Sequence, residues 1–162
     1  EICRERLVNG KYVLMFGWNT NSDLIKAAKI VGKRLDLPVY NIVPPPRGIG
    51  SGIRRKLDVG PREFLSMIKH AEFVVTNSFH GTAFSVTYKR PFISLVTGKP
   101  DLRMQSLLGQ LGLSNNLSTL EDFDLEACLA SDFSNVDEKK AVLRRYSIQY
   151  LKNALAQQYT SL

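Results

Sequence analysis

The sequence predicts an α/β fold, a doubly wound parallel sheet flanked by helices, and three features of its 162 residues carry that expectation. Short apolar runs rich in β-branched residues alternate with segments whose apolar positions recur at helical spacing. Gly, Pro, Asn and Ser punctuate the changes from one to the other. The densest apolar run, Phe73-Val74-Val75, passes abruptly through Thr76-Asn77-Ser78 into Phe79-His80-Gly81-Thr82-Ala83-Phe84-Ser85. That pattern is a buried strand delivering polar side chains to its carboxyl end, with a helix beginning beside them. Ligands of open α/β sheets collect at the carboxyl ends of the strands, and a helix N-terminus there offers free N–H groups to an anion.

The elements follow in chain order. Lys11 to Trp18 reads as a first buried strand, closed by the polar loop Asn19-Thr20-Asn21-Ser22. Ser22 or Asn21 is placed to cap a helix from Asp23 to Leu35, on which Leu24, Ala27, Ala28, Val31 and Leu35 share one face. Pro38 separates it from a second strand, Val39 to Val43, giving a right-handed parallel unit. Pro44 to Lys56 reads as the longest irregular segment, a stiff proline start and then a cationic loop whose glycines lack the dinucleotide-binding spacing. The next helix, from Asp58, has Pro61 in its first turn and Phe64, Leu65 and Ile68 on its core face, and it ends at His70-Ala71. After the central strand come a helix from Gly81 to Tyr88, a short strand from Phe92 to Val96 and a helix from Leu102 to Leu111. Beyond Gly112, Leu117 to Leu120 suits a last short strand or turn. The acidic stretch Glu121 to Glu126 suits a capped surface helix, and residues 136–158 suit a long C-terminal helix packed along one side. This succession is Rossmann-like.

The length fits one domain with a full core, spanning residues 1–162. Apolar content of 44% and charged content of 23% exclude a disordered chain. No apolar run approaches the length of a membrane span, and no signal peptide is visible. Cys3 and Cys128 fit neither a disulfide framework nor a metal-ligand spacing, so a reducing, cytoplasmic setting is expected. The start at Glu1, without Met, leads to the expectation of a fragment or processed chain. The net charge of +7 is uneven: residues 1–112 carry 17 Lys and Arg against 8 Asp and Glu, and residues 113–162 carry 5 against 7. The positive field therefore surrounds the central strand, where an anionic small molecule or an acidic polysaccharide would meet it. Nucleic acid is not expected, because no basic run carries interleaved aromatics.

His80, at the strand-to-helix junction, leads the functional candidates, since imidazole carries a proton near neutral pH. Its competing role is a histidine hydrogen-bonded into the turn. Thr76, Asn77, Ser78 and Thr82 are placed to donate hydrogen bonds to a phosphate or carboxylate, against the plainer role of helix capping. Arg103 opens a helix, where a cation opposes the dipole, and that placement hints at a ligand. Arg47, Arg54 and Arg55 either close over an anion or belong to a solvated basic loop. His70, at a helix C-terminus, is explained by the dipole alone. No Ser-His-Asp spacing, paired carboxylates, metal-binding histidine spacing or Walker loop occurs, so neither a metal nor a cofactor is expected. Chemistry here would rest on cations and hydrogen bonds around an anionic substrate.

The stretch from Asp58-Val59-Gly60-Pro61-Arg62-Glu63-Phe64-Leu65 through Ile68-Lys69-His70-Ala71 to Phe73-Val74-Val75-Thr76-Asn77-Ser78-Phe79-His80-Gly81-Thr82-Ala83-Phe84-Ser85 closely resembles the C-terminal part of the polysaccharide pyruvyl transferase family. The resemblance is dense to Phe92 and looser through Arg103-Met104-Gln105-Ser106-Leu107-Leu108 to Leu113. It implies transfer of a pyruvyl group from phosphoenolpyruvate to two hydroxyls of a saccharide or lipid-linked glycan, as a cyclic ketal, in cell-surface polysaccharide biosynthesis. It also implies a two-domain enzyme of GT-B type, of which this chain is the C-terminal domain, the N-terminal domain being absent. His80 matches the family's histidine and would bind the donor or act as general acid. Asn77, Ser78, Gly81, Thr82, Arg103, Arg47, Arg54 and Arg55 would hold the donor's anionic groups. Other branches of the family place an arginine where this chain has Ser78, which leaves the donor carboxylate to other residues. The lipid-linked acceptor would bring the protein to the inner face of the membrane. Two rival readings remain: a GT-B nucleotide-sugar glycosyltransferase, with Asp101 as its ribose ligand, and a noncatalytic module that binds acidic glycan.

Overall fold

The computed structural model describes residues 5–17, 21–42, 52–56, 58–96, 98–99 and 101–159. Among them, six strands form one parallel sheet: β1 (Val13–Phe16), β2 (Val39–Asn41), β3 (Ile53–Arg55), β4 (Phe73–Thr76), β5 (Phe92–Leu95) and β6 (Leu117–Ser118). The helices are α1 (Ser22–Leu35), α2 (Pro61–Lys69), α3 (Phe79–Thr87), α4 (Leu102–Leu111), α5 (Leu125–Leu129) and α6 (Val136–Tyr159). The strands lie in the order β3-β2-β1-β4-β5-β6, the doubly wound order, which reverses direction between β1 and β4. Met15 of β1 stands opposite Asn41 on one side and Val75 on the other.

The apolar runs are continuous because successive side chains feed two separate cores. Val13, Met15, Phe73, Val75, Ile93 and Leu95 pack with Leu24, Ala27, Ala28 and Val31 of α1. Their chain neighbours Tyr12, Leu14, Val74 and Phe92 pack on the other face with Met67 and Ile68 of α2, Val86 of α3 and Leu108 of α4. Capping follows the composition. Asn21 Oδ1 accepts the Leu24 N–H at 2.9 Å, so Asn21 rather than Ser22 closes α1. Pro61 sits in the first turn of α2, and Gly112 ends α4 at φ 76°.

Three expectations are corrected. The segment from Pro44 to Lys56 is not irregular throughout, since Ile53–Arg55 adds an edge strand to β2. A short, charged, exposed edge strand with one neighbour shows no apolar alternation, so periodicity misses it. Arg47 lies outside the described residues. The helix after β4 begins at Phe79 instead of Gly81, which puts His80 inside its first turn. Finally, α6 forms over the expected residues but packs only at its start. Val136 is buried and Leu143 half-buried, while Tyr146, Tyr150, Leu151 and Leu155 are each at least 57% exposed. Beyond Leu143 the apolar residues Tyr146, Ile148, Tyr150 and Leu151 run around the helix, so no single stripe can face the domain. Its first turn is held by the Lys139 ammonium donating to Leu111 O at 3.0 Å and by a Lys89–Asp137 ion pair of 2.6 Å.

Cys128, on the core-facing side of α5, is fully buried, and burial, with Asp124 nearby, pushes its thiol up to about 12. In the folded protein at pH 8 it is expected to resist alkylation for as long as the domain stays folded, and to react at once in denaturant. Mass spectrometry after timed iodoacetamide exposure measures this.

Candidate functional site

The site lies where the strand order reverses, at the carboxyl ends of β1 and β4. Thr76, the last residue of β4, is buried and uses its Oγ1 to accept the Ser78 N–H at 3.1 Å, which turns the chain sharply into α3. Gly17, just past β1, leaves space for the Asn77 side chain, since a Cβ there would overlap Asn77 Oδ1 and come within 2.6 Å of Leu24 Cδ2. Gly81 does the same for α3. A Cβ at this position would overlap Thr76 Oγ1 and lie 2.9 Å from Thr76 Cβ and 3.1 Å from Phe16 Cδ1. Gly81 therefore brings the helix N-terminus down onto the sheet.

Thr82 is fully buried. Its hydroxyl approaches Ser94 Oγ at 2.6 Å and donates to Ser78 O at 3.0 Å or Met104 Sδ at 3.4 Å, tying α3 to β5 and α4. This bonding is interior, and it sets the turn rather than facing outward. Ser78 is the N-cap of α3, only 9% exposed, with an extended backbone, yet its hydroxyl makes no capping bond. Ordinary Ser caps contribute about 1 kcal/mol through that bond. Ser78→Ala is therefore expected to change stability by less than about 0.5 kcal/mol in chemical denaturation, so any loss of ligand binding in that variant would report on the hydroxyl itself.

Phe79 and His80 occupy the first turn of α3, His80 exposed, their ring centroids 6.2 Å apart. From the neighbouring helix, the Arg103 guanidinium lies over the Phe79 ring, Cζ 5.2 Å from its centroid. Arg103 is explained locally as well. Asp101 caps α4, its Oδ1 accepting the Arg103 N–H at 2.9 Å and Arg103 Nε at 3.1 Å, while Oδ2 accepts from Nη2 at 2.7 Å. These bonds hold the Asp101 carboxyl below the usual carboxylate range, so it is ionised at neutral pH. The sequence reading missed this fork, although an N-capping Asp two residues before an Arg is a legible signal for it.

The structure thus brings together Asn77, Ser78, His80, Gly81 and Arg103, with Thr82 beneath them. It does not bring Arg54 or Arg55 there. Both are exposed on β3, and β2 and β1 stand between that edge strand and β4, about 14 Å at ordinary strand spacing. Arg54 instead donates to Tyr40 Oη at 3.2 Å and lies over that ring, while Arg55 lines an open cleft of about 460 Å³ with Tyr40, Lys56 and Asp58. Among the described residues no group of His, Cys, Asp and Glu is placed to hold a metal ion. None of the described helices is long and apolar enough to cross a membrane.

Sheet order, reversal point and the strand-to-helix turn at the carboxyl end of β4 define a Rossmann-like α/β domain of GT-B-like kind. Solved structures agree on the fold. A structure of the UDP-GlcNAc 2-epimerase of Methanocaldococcus jannaschii, in complex with UDP-GlcNAc and UDP, is similar at a TM-score of 0.56 and 17% identity, over 85% of this chain and 45% of that one. A second structure of that epimerase is similar at 0.55 and 15% identity, over 88% and 46%. The chain spans about half the length of these structures. No curated protein matches it. Residues 4–99 match the family model for polysaccharide pyruvyl transferase, and the chain belongs to that family. The matched span includes the turn from Thr76 to Thr82 and ends before Arg103.

Proposed function

We propose that this domain binds the donor in a pyruvyl transfer from phosphoenolpyruvate to two hydroxyls of a saccharide, with His80 as general acid. The observation that carries this reading is the position of His80. It lies within the residues that match the family, and it stands exposed in the first turn of α3 next to Phe79, whose ring carries the Arg103 guanidinium. The donor has two anionic groups, a phosphate and a carboxylate. The α3 N–H groups, the Ser78 hydroxyl and Arg103 supply the hydrogen bonds and positive charge to hold them.

In the proposed reaction His80 delivers a proton to the donor's methylene carbon, which becomes a methyl group and leaves an oxocarbenium-like centre. One saccharide hydroxyl adds there and gives up its proton. The bond from carbon to phosphate oxygen breaks, phosphate leaves with a proton, and the second hydroxyl closes the ketal as it loses its own. Of the two hydroxyl protons, one restores His80 and the other departs with phosphate. In this reading the acceptor is a saccharide or lipid-linked glycan, held by parts of the full-length protein outside the site described above.

The nucleotide-sugar alternative needs a carboxylate for the ribose hydroxyls. Asp101 is engaged in capping α4 and holding Arg103, which counts against it in that role. Incubating the full-length protein with a glycan acceptor and either phosphoenolpyruvate or a nucleotide sugar tests the reading. Phosphate release together with an acid-labile ketal on the glycan is expected from phosphoenolpyruvate. Turnover of the nucleotide sugar alone would sink it.

A further inference from the structure

Asp101 uses more of its carboxylate than a helix cap requires. One oxygen satisfies the Arg103 N–H at the start of α4, and that would suffice for capping. The same oxygen and its partner also take Nε and Nη2 of Arg103 in a fork, the geometry in which guanidinium binds ligand carboxylates and phosphates. Surface ion pairs of this kind add little stability, and the Arg103 side chain is 72% exposed. The Phe79 ring, which touches both the guanidinium and His80, supports Arg103 independently of Asp101. Releasing the fork would therefore leave Arg103 oriented at the mouth of the site and would disturb no buried group.

We propose that Asp101 is an internal stand-in for the donor: its carboxylate occupies Arg103 in the ligand-free protein and is exchanged for an anionic group of the incoming donor. The inference rests on the phosphoenolpyruvate reading above and deepens it by naming the residue that sets donor affinity. Two consequences follow from electrostatics. A fixed negative charge beside Arg103 repels a donor carrying several negative charges, and the fork must open before Arg103 can take a ligand on its Nε–Nη2 edge. Removing the charge while keeping the cap should therefore tighten donor binding, the reverse of what damage to a site does.

Asp101→Asn makes that change, because Asn caps helices as well as Asp. In the full-length protein, steady-state kinetics with phosphoenolpyruvate are expected to show KM lowered about 3- to 10-fold, with the change carried by KM rather than kcat. Asp101→Ser, a second capping residue without charge, should behave alike and guards against an effect peculiar to Asn. In an Arg103→Ala background the same substitution should lower KM clearly less, since only direct repulsion by the Asp101 charge is left to remove and there is no guanidinium to release. An equal drop in both backgrounds would overturn the exchange. An unchanged or raised KM in both Asp101 variants, with wild-type turnover intact, overturns the exchange and leaves the donor reading standing. Absence of phosphoenolpyruvate turnover by the wild-type protein overturns both.

Discussion

Replacing His80 by alanine is expected to lower kcat for pyruvyl transfer about 10²- to 10⁴-fold, the range that a positioned proton donor contributes. Stability should stay within the roughly ±0.5 kcal/mol typical of a surface substitution, because His80 is exposed and its ring meets Phe79 only edge to face. Phosphate release from phosphoenolpyruvate and a thermal melt of the same preparation measure the two quantities side by side. Full activity in the variant would remove the catalytic role. A large fall in melting temperature would make the histidine a structural part of the turn. Thr82 and Gly81 build the turn, whereas the exposed His80 ring is expected to leave it intact when truncated.

Gly81→Ala is expected to destabilise the domain by about 1–3 kcal/mol, the usual cost of overpacking a tight contact. At this chain length that corresponds to a melting temperature lowered by roughly 3–10 °C. The added Cβ meets Thr76, whose side chain is buried, β-branched and already accepting the Ser78 N–H, so it has no room to swing aside. Relief requires α3 to lift from β4, carrying His80 with it, and donor binding should fall together with stability. Gly109→Ala supplies the contrast. Gly109 lies within α4 with nothing near its missing Cβ, so alanine there should stabilise by about 0.5–1 kcal/mol through helix propensity alone. Both glycines sit in helices, and helix propensity taken alone gives both substitutions the same sign. Paired thermal melts that moved in the same direction would contradict the close packing of α3 on β4.

Much of the fold is legible in the residues themselves. Phe73 to Thr76 reads as a buried strand because both faces of a doubly wound sheet are covered, which leaves a continuous apolar run. The helix α1 reads equally well, because one stripe of Leu24, Ala27, Ala28 and Val31 meets the sheet. The edge strand Ile53–Arg55 is illegible for the opposite reason, since one-sided pairing at an exposed edge demands no apolar residues. The helix α6 misleads in another way. Its propensity is real, and the helix forms, but propensity says nothing about whether a face is covered, and beyond Leu143 it is not.

The candidate site divides along similar lines. The sequence alone determined the strand-to-helix turn and the position of its polar residues at the carboxyl end of a buried strand, because those follow from local chain chemistry at a single junction. That Thr76, Ser78 and Thr82 are buried there, and that His80 stands exposed inside the first helical turn, came from the packing. The sequence also determined that Arg103 opens a helix. Only the tertiary structure decided which cations share the site. Strand order carries Arg54 and Arg55 to the far edge of the sheet, while packing of α4 against α3 lays Arg103 over Phe79. Distances between elements depend on how the sheet is ordered and how helices dock, and those are sums over many weak contacts that no single stretch of sequence contains.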